Sequence, residues 1–249
     1  MLKGKVAVVT GASRGIGFGI TKELAARGAT VIVCSRNVAS AEKSASMIKG
    51  NAYHEKLDVT DAPGVTKFMR HVVERHGRVD ILVNNAGYPF DRKTWTKRFH
   101  EVVEEEFDRV IRVDLRGTLR LCQAAIPFMI KSGGGVMINI SSTPAVSGHT
   151  EGAPYTVAKA GVIAITKHIA LEYGDKNIRA YTLALGNISS EATFSSMTVT
   201  ERKKAAMENS MKRWGDPREV ARAAASVAGE DFSFATGNTI VIDSGTVLL

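Results

Sequence analysis

The stretch Thr10-Gly11-Ala12-Ser13-Arg14-Gly15-Ile16-Gly17 follows a short β-branched run, residues 5–10, and opens an amphipathic stretch, residues 16–27. The run reads as a strand and the amphipathic stretch as a helix, which puts the glycines at a strand-to-helix turn. Glycine tolerates the backbone angles of a tight turn and lets main-chain N–H groups close on an anion. The helix that follows points its positive end at the same place. Gly11, Ser13, Arg14, Gly15, Ile16 and Gly17 are therefore expected to cradle a pyrophosphate. An ordinary turn is the competing reading of any glycine cluster, and the position after the first strand favours the cradle.

Outward from this turn the same alternation continues. Residues 30–34, 52–57, 79–83, 135–140, 178–183 and 239–242 read as strands; residues 39–48, 63–76 and 155–173, and a segment starting at Asp216-Pro217, read as helices. Residues 101–131 form a further helix-rich stretch. Strand runs that are apolar throughout, rather than alternating, are covered on both faces. The expected fold is α/β: a single-domain, Rossmann-like, doubly wound parallel β-sheet flanked by helices. The 249 residues suit one such domain, with no internal repeat or linker. The longest irregular stretch, residues 186–196, begins a flexible lid expected near residues 186–212.

Composition narrows the function classes. With 44% hydrophobic and 23% charged residues the chain is an ordinary globular one. Cys34 and Cys122 form neither a disulfide framework nor a metal spacing, and they read as buried thiols in a reducing cytoplasm. No run approaches the ~18–20 apolar residues of a membrane helix, so no membrane partner is expected. The six histidines show no metal-ligand spacing, and no metal is expected. The net charge of +8 fits a solvated surface, or a field that attracts an anionic cofactor or an acidic partner. Arg92-Lys93-Thr94-Trp95-Thr96-Lys97-Arg98-Phe99-His100 mixes cations and aromatics as a nucleic-acid binder does. Glu101 and Glu104-Glu105-Glu106 follow at once and would repel phosphates, so a charged helix with Trp95 and Phe99 packed is expected instead, and no nucleic acid.

The second strand ends in Cys34-Ser35-Arg36-Asn37. A carboxylate there would bond the ribose 2′-OH of NAD; Ser35 and Arg36, with Arg14 nearby, suit a 2′-phosphate. The cofactor expected is NADP(H). Tyr155 and Lys159, four apart, share one helix face. A free phenol is a poor base at neutral pH, but an ammonium about 4 Å away at an effective dielectric of about 20 favours its anion by about 4 kcal/mol. Such a pair suits proton transfer to and from a reacting oxygen, although a surface pair is the usual meaning of this spacing alone.

The glycine spacing Gly-x3-Gly-x-Gly, Asp58-Val59, Asn84-Asn85-Ala86-Gly87, Ser142, Tyr155-Thr156-Val157-Ala158-Lys159, Arg213-Trp214-Gly215 with Pro217, and the ending from Gly237 to Gly245 occur in the order known from one family. From residue 5 to its end the chain resembles the short-chain dehydrogenases/reductases. The resemblance implies that Tyr155 donates the proton, that Tyr155 and Lys159 also bind the cofactor, the lysine at the nicotinamide ribose, and that Ser142 polarises the carbonyl, with neighbouring Ser141 the alternative. It places Asp58 and Val59 at the adenine, and Asn85, Ala86, Gly87, Gly186 and Ile188 along the cofactor, with Ser189 a further contact. Two positions depart from the family. Asp114 stands where an asparagine helps hold a relay water, which predicts retained activity with a perturbed relay; Leu185 replaces a proline before Gly186, which predicts a looser approach to the lid.

Similarity to 3-oxoacyl-carrier-protein reductases implies a small carbonyl or alcohol substrate, such as a 3-oxoacyl group on an acidic acyl carrier protein, with Lys131 and Lys176 as basic residues towards that carrier. It also implies a homotetramer, with a dimer as the fallback. The alternatives are a sugar, polyol or secondary-alcohol dehydrogenase, and a catalytically weak regulatory protein that binds the cofactor. Residues 88–100 and the lid are expected to shape the substrate mouth, with His149 as an exposed loop histidine or a substrate contact.

Overall fold

The computed structural model describes residues 1–195 and 197–248. Ser196, the end of the irregular stretch expected from the sequence, and Leu249 lie outside the described residues. In chain order the framework is β1 (Val6–Thr10), α1 (Gly15–Ala26), β2 (Thr30–Ser35), α2 (Val38–Ser46), β3 (Ala52–Lys56), α3 (Ala62–His76) and β4 (Ile81–Asn84). It continues with α4 (Arg92–Trp95), α5 (Glu104–Val110), a π-helical turn (Ile111–Leu115), α6 (Arg116–Lys131), β5 (Gly135–Ser142), α7 (Pro144–Ser147) and α8 (Ala153–Tyr173). The last elements are β6 (Ile178–Leu185), α9 (Glu191–Phe194), α10 (Val199–Met207), α11 (Pro217–Ala228) and β7 (Thr239–Ile242).

The seven strands form one parallel sheet in the order β3-β2-β1-β4-β5-β6-β7. Val8 pairs with Ile32 on one side and Leu82 on the other, which puts β1 inside the sheet. Strand alternation then sends Ala7, Val9, Val31 and Val33 to one face, under Ile20 and Leu24 of α1, Ala41 of α2 and Val220 of α11. Val6, Val8, Ile32 and Cys34 face the other way, against Phe68 and Met69 of α3, Leu121 and Met129 of α6 and Ile169 of α8. Each fully buried aliphatic side chain of this kind contributes about 1.5–3 kcal/mol relative to exposure, so both sheet faces are well anchored. Cys34 and Cys122 are free thiols in the second layer; burial pushes both up, Cys122 to about 12, which keeps them as inert packing groups.

Local signals set the helix starts. Asn37 Oδ1 accepts the Ser40 N–H at the head of α2, and Asp61 does the same for Gly64 at α3. Asp216 and Glu219 form a reciprocal capping box at α11, with Pro217 in its first turn. The stretch expected to be irregular after β6 is partly ordered: Ile188 pairs with Gly215, and α9 and α10 follow, both too short to show a periodicity in sequence. The Leu185–Gly186 junction, where the missing proline was expected to loosen the approach, is paired on both sides. Leu185 O accepts the Thr143 N–H and the Ser142 hydroxyl, and Gly186 N donates to Ile242 O.

Strand order reverses between β1 and β4. In a doubly wound sheet a crevice opens at the carboxyl ends of the strands at that point.

Candidate active site

A cleft of about 650 Å³ lies there, lined by the residues expected from the sequence to bind cofactor or act chemically, except Ser189, whose hydroxyl donates to Gly215 O. Its floor is the glycine turn. Gly17 is buried, and a Cβ there would lie 2.4 Å from Asn85 Nδ2 and 2.6 Å from Gly11 O, so no side chain is accommodated. Thr10 Oγ1 accepts the N–H groups of Asn85 and Ala86, and Asn85 Nδ2 donates to the Thr10 and Gly11 carbonyls. The side chain of Asn85 thus braces the turn. Arg14, at the N-cap of α1, makes no capping bond, and no acid occupies the first turn. The unpaired positive end of a 12-residue helix, reached over bare glycine backbone, fits the diphosphate of a dinucleotide.

Ser35 and the exposed Arg36 stand at the end of β2, and Asp58 and Val59 follow β3. Asp58 Oδ1 accepts both the N–H and the hydroxyl of Thr60. Partial burial pushes its pKa up, but those bonds, with Arg36 and Arg112 nearby, hold the carboxyl below its ordinary range. Ile188 and Gly186 close the far end of the same wall.

The chemical end is built by β5 and α8. Ser142 lies on the cleft, its hydroxyl donating to Leu185 O. Ser141, the alternative, is buried and donates to Lys159 O. Tyr155 and Lys159, one turn apart on α8, are half-buried and buried, with the ammonium 5.5 Å from the centre of the phenol ring. Lys159 Nζ also donates to Ile140 O at 3.2 Å.

Asp114 is a first correction: expected from the sequence beside a relay water, it also stands against Lys159. The carboxylate is 1% exposed, with Oδ1 3.0 Å from Lys159 Nζ and Oδ2 accepting the Tyr88 N–H at 2.7 Å. It therefore meets the lysine directly. Burial alone would lower the Lys159 ammonium, but Asp114 and Tyr155 outweigh it and the net displacement is upward. The π-helical turn that carries Asp114 leaves no mark in the sequence, and neither does the pairing.

A second correction concerns the stretch before α5. Trp95 is half-buried, as expected, but Phe99 is 77% exposed on a tight turn, Phe99–Glu101, too short to bury it. Phe90 and Asp91, from residues 88–100, and Glu208, from residues 186–212, also line the cleft, and Thr246 and Val247 join them although no motif marks them in the sequence.

A parallel sheet with this strand order, a glycine turn at its switch point and a tyrosine–lysine pair across the cleft define an oxidoreductase that uses a nicotinamide dinucleotide. The chain belongs to the short-chain dehydrogenase/reductase family: the family model described as Enoyl-(Acyl carrier protein) reductase matches residues 11–247. It is 36% identical over 250 residues to a 3-oxoacyl-[acyl-carrier-protein] reductase of Thermotoga maritima, covering 99% of each chain. The enzyme of the same name from Vibrio cholerae is 34% identical over 248 residues, covering 100% of this chain and 99% of that one. Glucose 1-dehydrogenase 2 of Bacillus subtilis is 33% identical over 252 residues, covering 99% and 96%. No described helix is long and apolar enough to cross a membrane.

Proposed function

We propose that the chain reduces a ketone or aldehyde with NADPH, Tyr155 giving the proton to the carbonyl oxygen. The observation that carries this reading is the placement of Tyr155 and Lys159 on the cleft whose floor is the glycine turn. Bound there, the reduced nicotinamide supplies a hydride. Ser142 orients and polarises the carbonyl oxygen, Tyr155 protonates it, and Lys159 stabilises the phenolate left behind. Run backwards, the same groups oxidise an alcohol. Oxidation of NADPH and NADH against a panel of 3-oxoacyl thioesters, simple ketones and sugars tests the proposal; cofactor binding without turnover on any of them would favour the regulatory reading.

The 2′-phosphate is assigned to Ser35, Arg36 and Arg14. Arg36→Asp puts a carboxylate where that phosphate would sit, and kcat/KM for NADPH is expected to fall about a hundredfold relative to NADH. Unchanged cofactor preference, measured by initial rates with each dinucleotide, would reject the assignment. Asp114→Asn removes a negative charge beside Lys159 and leaves the ammonium to act fully on the phenol. Turnover in the alcohol-oxidation direction and its pH profile are both expected to change. An unchanged profile and turnover would remove Asp114 from the proton path.

The names of two relatives put a 3-oxoacyl thioester on an acyl carrier protein among the substrates to be tried. Exposed Lys131 and Lys176 support an acidic carrier, although Lys176 already pairs with Asp175 at 2.7 Å. Exposed Leu119 and Ile130 on α6, with Val157 and Leu171 on α8, support the assembly of four copies.

A further inference from the structure

Resting on the carbonyl-reductase reading, the wall opposite the glycine turn narrows the class of substrate. Trp95 stands at its centre. The Trp95 ring is 5.6 Å from the Tyr155 ring, 5.6 Å from Phe90 and 5.7 Å from His149, centre to centre, tilted by 58°, 51° and 48°. All four residues line the cleft. These are the separations at which aromatic rings attract one another, and one more ring brought against them gains the same contacts.

The wall is held in place before any substrate arrives. Trp95 O accepts the Gly152 N–H at 2.9 Å, immediately before α8. Gly152 has φ +70°, and a Cβ on it would lie 2.5 Å from the Trp95 ring, so the missing side chain is the seat of the indole. Asp91 caps the short helix that ends in Trp95, accepting the Lys93 N–H and the Thr94 hydroxyl. Behind it Lys97 Nζ grips both oxygens of Glu106 at 2.6 Å. A preformed surface avoids the ordering cost that a mobile one would charge against binding.

Charge points the same way. Among the described residues the Lys and Arg side chains that line the cleft are Arg14, Arg36 and Lys159. The first two flank the dinucleotide turn and the third is paired with Asp114. The helix that carries Trp95 brings Asp91 to the cleft instead, and its carboxylate repels an anionic arm. We propose that Trp95, with Phe90 and His149, makes this a site for an uncharged ketone or aldehyde whose carbonyl is attached to an aromatic ring. The ring stacks on the indole and the carbonyl oxygen meets Tyr155.

The test compares acetophenone with cyclohexyl methyl ketone, which keeps the carbon skeleton and loses the aromaticity, and with a 3-oxobutanoyl thioester. Dissociation constants are measured by saturation-transfer NMR titration of the full chain without reduced dinucleotide, so the readout needs no turnover. The native chain is expected to bind acetophenone about tenfold more tightly than either other compound. Trp95→Ala should bring the acetophenone-to-cyclohexyl ratio to within about twofold of unity, and Trp95→Phe should keep most of it. Should Trp95→Ala fail to fold, His149→Ala and Phe90→Ala, both on exposed residues, should each lower the ratio about threefold. A native ratio near unity, a ratio that no variant changes, or tighter binding of the thioester would overturn the proposal. An aryl preference in binding with no reduction of any carbonyl would uphold this site and refute the reductase reading, so the two can fail separately.

Discussion

Tyr155→Phe is expected to lower turnover by between about 10² and 10⁴ while the dissociation constant for the dinucleotide stays within about threefold of the native value. The substitution removes one oxygen. The ring keeps its place against Trp95 and beneath the Lys159 ammonium. What is lost is the acid in the reductive direction and the base in the oxidative one. The Ser142 hydroxyl is not a ready replacement, since an alkyl hydroxyl is a far weaker acid than a phenol. Steady-state rates with a reducible carbonyl, set beside dinucleotide titration of the same preparation, provide the check. Native-like turnover in Tyr155→Phe would mean that the proton comes from elsewhere.

The second large effect is on stability. Lys159→Met leaves the Asp114 carboxylate buried with the Tyr88 N–H and no cation, and breaking a buried pair from one side costs about 3–5 kcal/mol. For a chain of 249 residues each kcal/mol lowers the melting temperature by about 2–4 °C, so a fall of about 10 °C is expected. Asp114→Asn combined with Lys159→Met removes the stranded charge and should regain most of that loss without regaining turnover. Thermal unfolding of the native chain and the three variants closes the cycle. Equal melting temperatures for the single and double variants would show that the carboxylate is not stranded. The pH dependence has a definite sign. Lys159 is held above the ordinary lysine range in the folded chain, so its contribution is complete below about pH 10.4 and drains away as the pH climbs through the folded value. Lys159→Met should lack that alkaline loss.

Much of the frame could be read from residue order. Parallel strands buried on both faces are largely apolar runs, and those runs marked the strands to within a few residues, apart from the edge strand β3, whose His54, Glu55 and Lys56 made it the weaker signal. The glycine turn was legible because its function needs residues without side chains, and the Tyr155–Lys159 pair because a helix brings positions four apart together. The contacts that tune the site obey no such local rule. Asp114 and Lys159 are 45 positions apart, Trp95 and Gly152 are 57 apart, and neither pair shares a spacing. The interior ladder from Asn84 through Asn139 and Thr166 to Thr182 was equally hidden, since each member looks like a polar break in an apolar run until β4, β5 and β6 are laid side by side with α8 across them. Phe99 failed for the opposite reason: an aromatic between charges suggests burial, but a three-residue turn has no inner face to offer.

The wide turn at Ile111–Leu115 sets the phase of a long helical rod. One residue beyond the α-helical count advances the spiral by about 100°, so whatever lies upstream is aimed by that surplus. Phe107 and Val110 reach Ala158 on the far side of the bulge, while Asp114 reaches Lys159 from within it. Loss of a single residue here would be a frameshift in space: the alphabet downstream would stay intact, yet one of the two appointments could no longer be kept.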